Sequence, residues 1–268
     1  MEKSNIDEKI KLLTGSGMWH TQEVEGLPSV HLSDGPHGLR KQEEKERQNN
    51  VSLVSTCYPT ASALACSWDV TAAERLGRAV AKEAWNADVA VLLGPGINMK
   101  RSPLCGRNFE YFSEDPFLAG RLGAAYVSAA QGENVAVSLK HFAANNQETN
   151  RQTSNSQIDE RALREIYLSA FEYVVKTARP ATVMASYNRL NGYYACENRH
   201  LLTEILREEW GYDGLVVTDW GAANDRVKGL IAGQDLEMPS SGTVNDSKVE
   251  AAVKDGSLPV EYVDRAVR

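Results

Sequence analysis

The run Gly214-Leu215-Val216-Val217-Thr218-Asp219-Trp220-Gly221-Ala222 decides how the rest of the chain is read. Leu215 to Asp219 has strand character, and Gly221 releases the chain after a carboxylate and an indole. Alternate side chains of a strand share a face, so 215, 217 and 219 lie together, with 216 and 218 opposite. Asp219 then stands at the strand's carboxyl end. In a closed barrel of parallel strands both faces are buried and the carboxyl ends open at a mouth, where barrel enzymes do their chemistry. A carboxylate there is a candidate nucleophile. Locally, an aspartate capping the next helix is the competing reading, and the remaining chain has to decide.

A length of 268 residues fits a single (β/α)8 domain, which takes about 250, and 1–268 is read as one unit. A hydrophobic content of 42% with 24% charged residues is that of an ordinary globular protein. Its net charge of −7 offers nothing to nucleic acid or to anionic lipid, so neither partner is expected. The first residues, Met1 to Ile10, lack the apolar run of a signal peptide, and no stretch approaches the roughly 18 apolar residues of a membrane span. The expectation is a cytoplasmic protein, although a mature form with its leader removed would read the same way. Cys57, Cys66, Cys105 and Cys196 have no C-x-x-C spacing and no paired histidines. Reduced thiols and no zinc site are expected.

Outward from the opening run, the pattern alternates. Residues 6–13 read as a short amphipathic helix ending near Gly15 and Gly17. Val30 to Gly38 is an apolar piece entering a turn that carries Asp34, and Lys41–Asn50 reads as a solvated mixed-charge loop. Thr60–Ala65 is read as a strand of small residues, and Thr71-Ala72-Ala73-Glu74 as the capping box of a helix to about Trp85. Asp88–Leu93 is a buried strand that opens into Gly94-Pro95-Gly96-Ile97-Asn98-Met99. This loop lacks both the Gly-x-Gly-x-x-Gly pattern and the Gly-Lys-Ser/Thr ending, so no phosphate-bearing cofactor is expected.

Residues 100–116 are dense in Lys100, Arg101, Arg107, Asn108, Glu110, Tyr111, Glu114 and Asp115, the composition of a binding loop. Phe117–Gln131 reads as helix, and Val135–Leu139 as a strand ending in Lys140-His141-Phe142. Asp159–Ala178 is the clearest helix, with Ala162, Ile166, Ala170, Val174 and Thr177 on one side. Ala181–Ala185 is a further strand, Leu201–Trp210 a helix stopped by Gly211, and 225–232 and 260–268 are helical around a short extended piece at 235–238. About seven strands and eight helices in alternation imply a parallel sheet wrapped by helices. They fit a TIM-like barrel with one irregular or missing strand better than an open doubly wound sheet. In a barrel, Asp34, the 100–116 loop, Lys140, His141, Tyr187 and Asp219 all fall on one rim.

Five stretches, Ser33–Arg40, Cys105–Pro116, Lys140–Glu148, Val183–Asn188 and Thr218–Trp220, together resemble glycoside hydrolase family 3, with the closest likeness to its bacterial β-glucosidases. The similarity runs from about residue 7 to residue 268. It implies that Asp219 is the nucleophile of a retaining mechanism and that Asp34, Arg107, Lys140, His141, Arg151 and Tyr187 hold the sugar, with Met184 and Trp220 lining the pocket. Thr218 stands where serine is commoner in that family. The implied substrate is a terminal β-D-glucoside or short β-gluco-oligosaccharide, with no metal and no cofactor. Arg and Lys near Asp219 are expected to keep it ionised.

Retention needs a second carboxyl group about 5 Å away to protonate the leaving oxygen. In two-domain members of that family it comes from a sandwich-like domain after the barrel, a domain this sequence does not contain. Glu110, Glu114, Glu148 and Glu160 remain, and the resemblance gives none of them that role. Nor is there the histidine-bearing loop of the N-acetylglucosaminidases. The expectation is a catalytic barrel completed by a C-terminal domain or second chain, and weakly active or inactive alone. Two alternatives stand beside it: a non-hydrolytic sugar-binding or scaffold barrel, and, far behind, an enzyme of phosphorylated metabolites.

Overall fold

Five short apolar runs form the parallel sheet that the strand pattern predicts. The computed structural model describes residues 5–42 and 51–268, so most of the mixed-charge run 41–50 lies outside the described residues. The strands are β1 (Leu32–Asp34), β2 (Val91–Leu93), β3 (Ala136–Phe142), β4 (Thr182–Ala185) and β5 (Leu215–Thr218), hydrogen-bonded side by side in that order. All four pairings are parallel.

Irregular segments complete the ring. Leu236 bridges Val217, Glu237 bridges Thr14, Gly15 bridges Thr21, and His20 bridges His31 just ahead of β1. Backbone bonds from Thr218 N to Leu236 O (3.0 Å), from Glu237 N to Leu13 O (2.9 Å) and from Leu32 N to Trp19 O (2.8 Å) carry the sheet from β5 back to β1. The fold is an α/β barrel, not an open sheet. Its expected irregularity falls on the amino-terminal hairpin and on the 235–238 piece.

Alternation sorts the strand residues into two cores. Leu32, Val91, Leu93, Met184, Val217, Leu236 and Met238 fill the barrel interior, whereas Leu92, Val137, Leu139, Val183, Ala185 and Val216 pack outward among the helices. Burying each Val, Leu or Met contributes roughly 1.5–3 kcal/mol. Val217 therefore points inward, and Asp219, two residues on, inherits the inward face at the mouth.

The helices are α1 (Ile6–Leu12), α2 (Ala61–Ala65), α3 (Val70–Asn86), α4 (Pro116–Gln131), α5 (Ser169–Ala178), α6 (His200–Glu209, π-wound), α7 (Arg226–Ala232), α8 (Val244–Asp255) and α9 (Val260–Ala266). Several depart from the sequence reading. The 60–65 run is α2 rather than a strand: it lacks β-branched residues after Thr60, whose hydroxyl caps the Ala63 amide at 3.3 Å. Asp69, not Thr71, caps α3, because its carboxylate takes both the Thr71 amide (2.9 Å) and the Thr71 hydroxyl (2.7 Å). A π turn at Leu163–Tyr167 precedes α5, and of the expected face Ala170 and Val174 are buried while Ile166 and Thr177 are exposed, with Leu163, Leu168 and Phe171 joining the core. Helix α8 has no counterpart in the sequence reading.

The closing piece is held by charge as well as by backbone. Asp235 accepts from the Val216 amide at 2.8 Å and from Arg207 at 2.5 Å. Arg226, only 1% exposed, donates to Gln234 Oε1 at 2.8 Å and to the Leu13 carbonyl at 3.1 Å, with Glu237 at 3.7 Å. These groups pin 234–237 between β5 and residues 13–15.

Candidate active site

The carboxyl ends of the strands deliver most of the expected polar groups to one place. Asp34 ends β1, and Lys140 and His141 lie near the end of β3. An ideal strand would send Lys140 and His141 to opposite faces, but the β3–β4 register slips between Leu139 and Phe142, and both residues join one network. The network runs as a chain. Lys140 Nζ lies 3.3 Å from Asp34 Oδ1 and 3.9 Å from Glu110 Oε2. Glu110 in turn binds Arg107, and Arg107 Nη2 meets His141 Nε2 at 2.7 Å. His141 Nε2 stands 3.8 Å from Asp219 Oδ2. Acidic and basic groups alternate from Asp34 to Arg107, which is how buried charges stay compensated, and His141 then separates Arg107 from Asp219.

Asp219 is 7% exposed. Its Oδ1 accepts from the Trp220 amide at 2.8 Å, and its Oδ2 is buried with no hydrogen-bond partner. The helix-cap reading fails here, because α7 begins beyond it and is capped by Asp225. Burial pushes the Asp219 carboxyl above its usual range, while Arg107, Lys140, the Trp220 amide and Arg151 pull the other way. The expected ionising effect of the cations is therefore real but outweighed by desolvation. Burial, followed by the fields of Arg107, Lys140 and Arg151, holds His141 well below its ordinary range, so its imidazole is neutral.

The remaining predicted residues close the far side. The Tyr187 hydroxyl donates to the Trp220 carbonyl at 2.8 Å, and the Arg151 guanidinium sits 4.7 Å over the Tyr187 ring. Glu148, which accepts from Arg151 at 2.9 Å and from Asn145 at 3.1 Å, holds that cation in place. The Trp220 indole packs on Trp19 with centroids 5.4 Å apart and donates to the Met18 carbonyl. Met184 is 1% exposed in the interior cluster, so it forms the floor rather than an open wall.

Other parts of the site escaped the sequence reading. Asn98, on the loop dismissed as a phosphate binder, grips the His141 backbone twice, donating to its carbonyl at 2.8 Å and accepting from its amide at 2.6 Å. Arg40 lies 3.8 Å from Asp34. Tyr111 is fully buried, with its hydroxyl 3.1 Å from His141 Nδ1. Tyr111 and Arg40 were visible as members of dense polar motifs; nothing marked Asn98.

The four glutamates considered as proton donors separate clearly. Glu110 is bound by Arg107 and Lys140, and Glu148 by Arg151. Glu160 pairs with Arg164 on the outer helical layer. Glu114 lines a cleft of about 600 Å³ with Ser62, Trp68 and Lys100.

Comparison with known proteins finds relatives of the whole chain. The model of the glycosyl hydrolase family 3 N terminal domain matches residues 36–268. The thermostable β-glucosidase B of Acetivibrio thermocellus is 54% identical over all of this chain, which covers 36% of that protein. An exo-α-(1→6)-L-arabinopyranosidase of Bifidobacterium longum is 49% identical over 97% of the chain and 35% of its own length. Among solved structures, β-glucosidase 3B from Thermotoga neapolitana in complex with glucose superposes with a TM-score of 0.93 at 40% identity, covering 99% of this chain and 40% of that one. The chain thus spans little more than a third of the curated relatives it matches.

Proposed function

This chain belongs to glycosyl hydrolase family 3, and from that premise we propose that it carries the nucleophile and most of the glycone-holding groups of a retaining β-glucosidase. The observation that carries the reading is Asp219: one carboxylate oxygen is fixed by a backbone amide, and the other is buried, inward-facing and unpartnered. An acceptor left without a partner in a dry site is costly unless a ligand completes it. An electrophilic anomeric carbon would do so.

In the proposed reaction Oδ2 of Asp219 attacks the anomeric carbon, the bond to the leaving oxygen breaks, and a glycosyl ester forms that water later hydrolyses. Asp34 would accept from sugar hydroxyls, Lys140, Arg107 and Arg151 would donate to them, and the Trp220 indole would face the apolar edge of the ring. His141, neutral, would hold Arg107 in place through its accepting Nε2.

The leaving oxygen needs a proton. Glu110 is already engaged by Arg107 and Lys140, and Glu148 by Arg151 and Asn145. We infer that the acid/base comes from outside these 268 residues, from a further domain or a partner chain. Without it the rate falls by about 10² to 10⁴. A sugar-binding module with little activity of its own is the second reading, favoured by the same engagement of every nearby glutamate.

An activated probe separates the two. 2,4-Dinitrophenyl 2-deoxy-2-fluoro-β-D-glucoside has a leaving group that requires no proton, so the nucleophile alone suffices. The chain should gain one fluoroglucosyl group on the peptide carrying Asp219, while turning over unactivated β-glucosides slowly. An unlabelled protein that still binds glucose would leave only the binding module. Because a relative is an arabinopyranosidase, the glycone is settled by running aryl β-glucosides against aryl α-L-arabinopyranosides on the completed protein.

A further inference from the structure

His141 has two ring nitrogens and one proton, and the surroundings determine where that proton lies. Arg107 Nη2 can only donate, and it stands 2.7 Å from Nε2. Nε2 is therefore the bare, accepting nitrogen, and the proton is on Nδ1. There the Tyr111 hydroxyl waits at 3.1 Å to accept it. The alternative tautomer would set an Nε2 proton against Arg107 Nη2, donor to donor, on the nitrogen that stands 3.8 Å from the unpartnered Asp219 Oδ2.

We propose that Tyr111 is a positioning residue that holds His141 in its Nδ1–H tautomer and so keeps a proton off the nitrogen that accepts from Arg107 and stands 3.8 Å from the free oxygen of Asp219. His141 is 1% exposed and Tyr111 fully buried, so the pair is shielded from bulk solvent. With the hydroxyl removed, Nδ1–H becomes a buried donor without an acceptor, a state rarer and costlier than a bare buried acceptor. Shifting the proton to Nε2 relieves it, at the expense of the Arg107 contact. The fold has made room for this ring: a Cβ on Gly96 would lie 2.9 Å from two Tyr111 ring carbons. The significance of the tautomer rests on the nucleophile role proposed above; the proton's location does not.

Two variants test it. Tyr111→Phe deletes only the hydroxyl, and Gly96→Ala pushes the ring away while leaving the hydroxyl intact. In the intact chain labelled with ¹⁵N-histidine, long-range proton–nitrogen correlation should show His141 with Nδ1 protonated and Nε2 bare, its signals identified by their loss in His141→Gln. Both variants should move the proton to Nε2, and glucose affinity should weaken about tenfold as the Arg107 contact is lost. A bare Nδ1 in the unaltered chain would overturn the proposal without any variant having to fold. So would a folded Tyr111→Phe protein that keeps the original pattern. If the unaltered chain failed to bind glucose, the functional reading would fail, and the ring nitrogens would still decide the role of Tyr111.

Discussion

Asp219 and Trp220 are neighbours that share one turn of backbone, and each fixes the other: the amide of the second holds the carboxylate of the first. Because burial raises the Asp219 pKa, the folded state binds its proton more tightly than the unfolded one. Stability from this group is thus present at low pH and falls as pH rises from the ordinary carboxylate range through the raised value. Asp219→Asn should accordingly melt higher than the parent at neutral pH and take up no fluoroglucosyl label; a lower melting temperature would mean that the charge is better compensated than burial implies. Asp219, Lys140 and His141 were legible because a polar residue closing an apolar strand is anomalous in both of its neighbouring contexts. Asn98 was not, since its work is done through its side chain on another residue's backbone, which sequence spacing does not encode.

At the scale of elements, strands buried on both faces were read correctly, for a continuous apolar run has few other uses. The ring's closing segments were not all recognised, since each contributes only one or two ladder positions and carries no periodic signal. Arg226 shows how such a segment is stabilised. In sequence it looks like a surface cation, yet a positive charge in the first turn of α7 opposes the helix dipole, a hint that it serves something else. Replacing it, as Arg226→Ala, removes the cation that faces the buried Glu237 carboxylate and the donor to Gln234 Oε1, and should cost about 3–5 kcal/mol, measured by urea unfolding. A loss below about 1 kcal/mol, the level of an exposed ion pair, would show that the backbone ladder alone closes the barrel. The Thr60–Ala65 helix was misread because a five-residue run of small apolar side chains satisfies both periods, and only the cap decides.

Across the whole molecule, buried carboxyls and buried histidines answer protons in opposite senses, for burial raises Asp219, Asp235 and Glu237 and depresses the histidines. Burial, then His20 and Lys41, lowers His31 to about 4, and burial leads in depressing His37 and His141 as well. A base whose folded pKa is depressed binds protons more readily when unfolded, so its stability is complete above the ordinary histidine pKa and is lost as pH falls below it. His200, raised by its bond to Glu204, acts in the opposite sense. The depressed histidines' share of the pH dependence between about 7.5 and 4.5 is a decline, and His31→Gln should lift thermal melts at the acid end relative to the parent by up to one proton's slope, about 1.4 kcal/mol per pH unit. An unchanged profile in that variant would relieve His31 of the role. Composition and strand order gave the architecture of the molecule, but its acid sensitivity could not be read there, since it depends on which histidines the fold encloses.

The ladder between Thr14 and Glu237 joins residues more than two hundred positions apart, and it sits beside staves that are contiguous in space from β1 to β5. During synthesis the early hairpin thus emerges long before its neighbour exists. Its seat between first and last staves stays vacant until residue 238 has cleared the ribosome, and the bowl receives its final wall in a single late step.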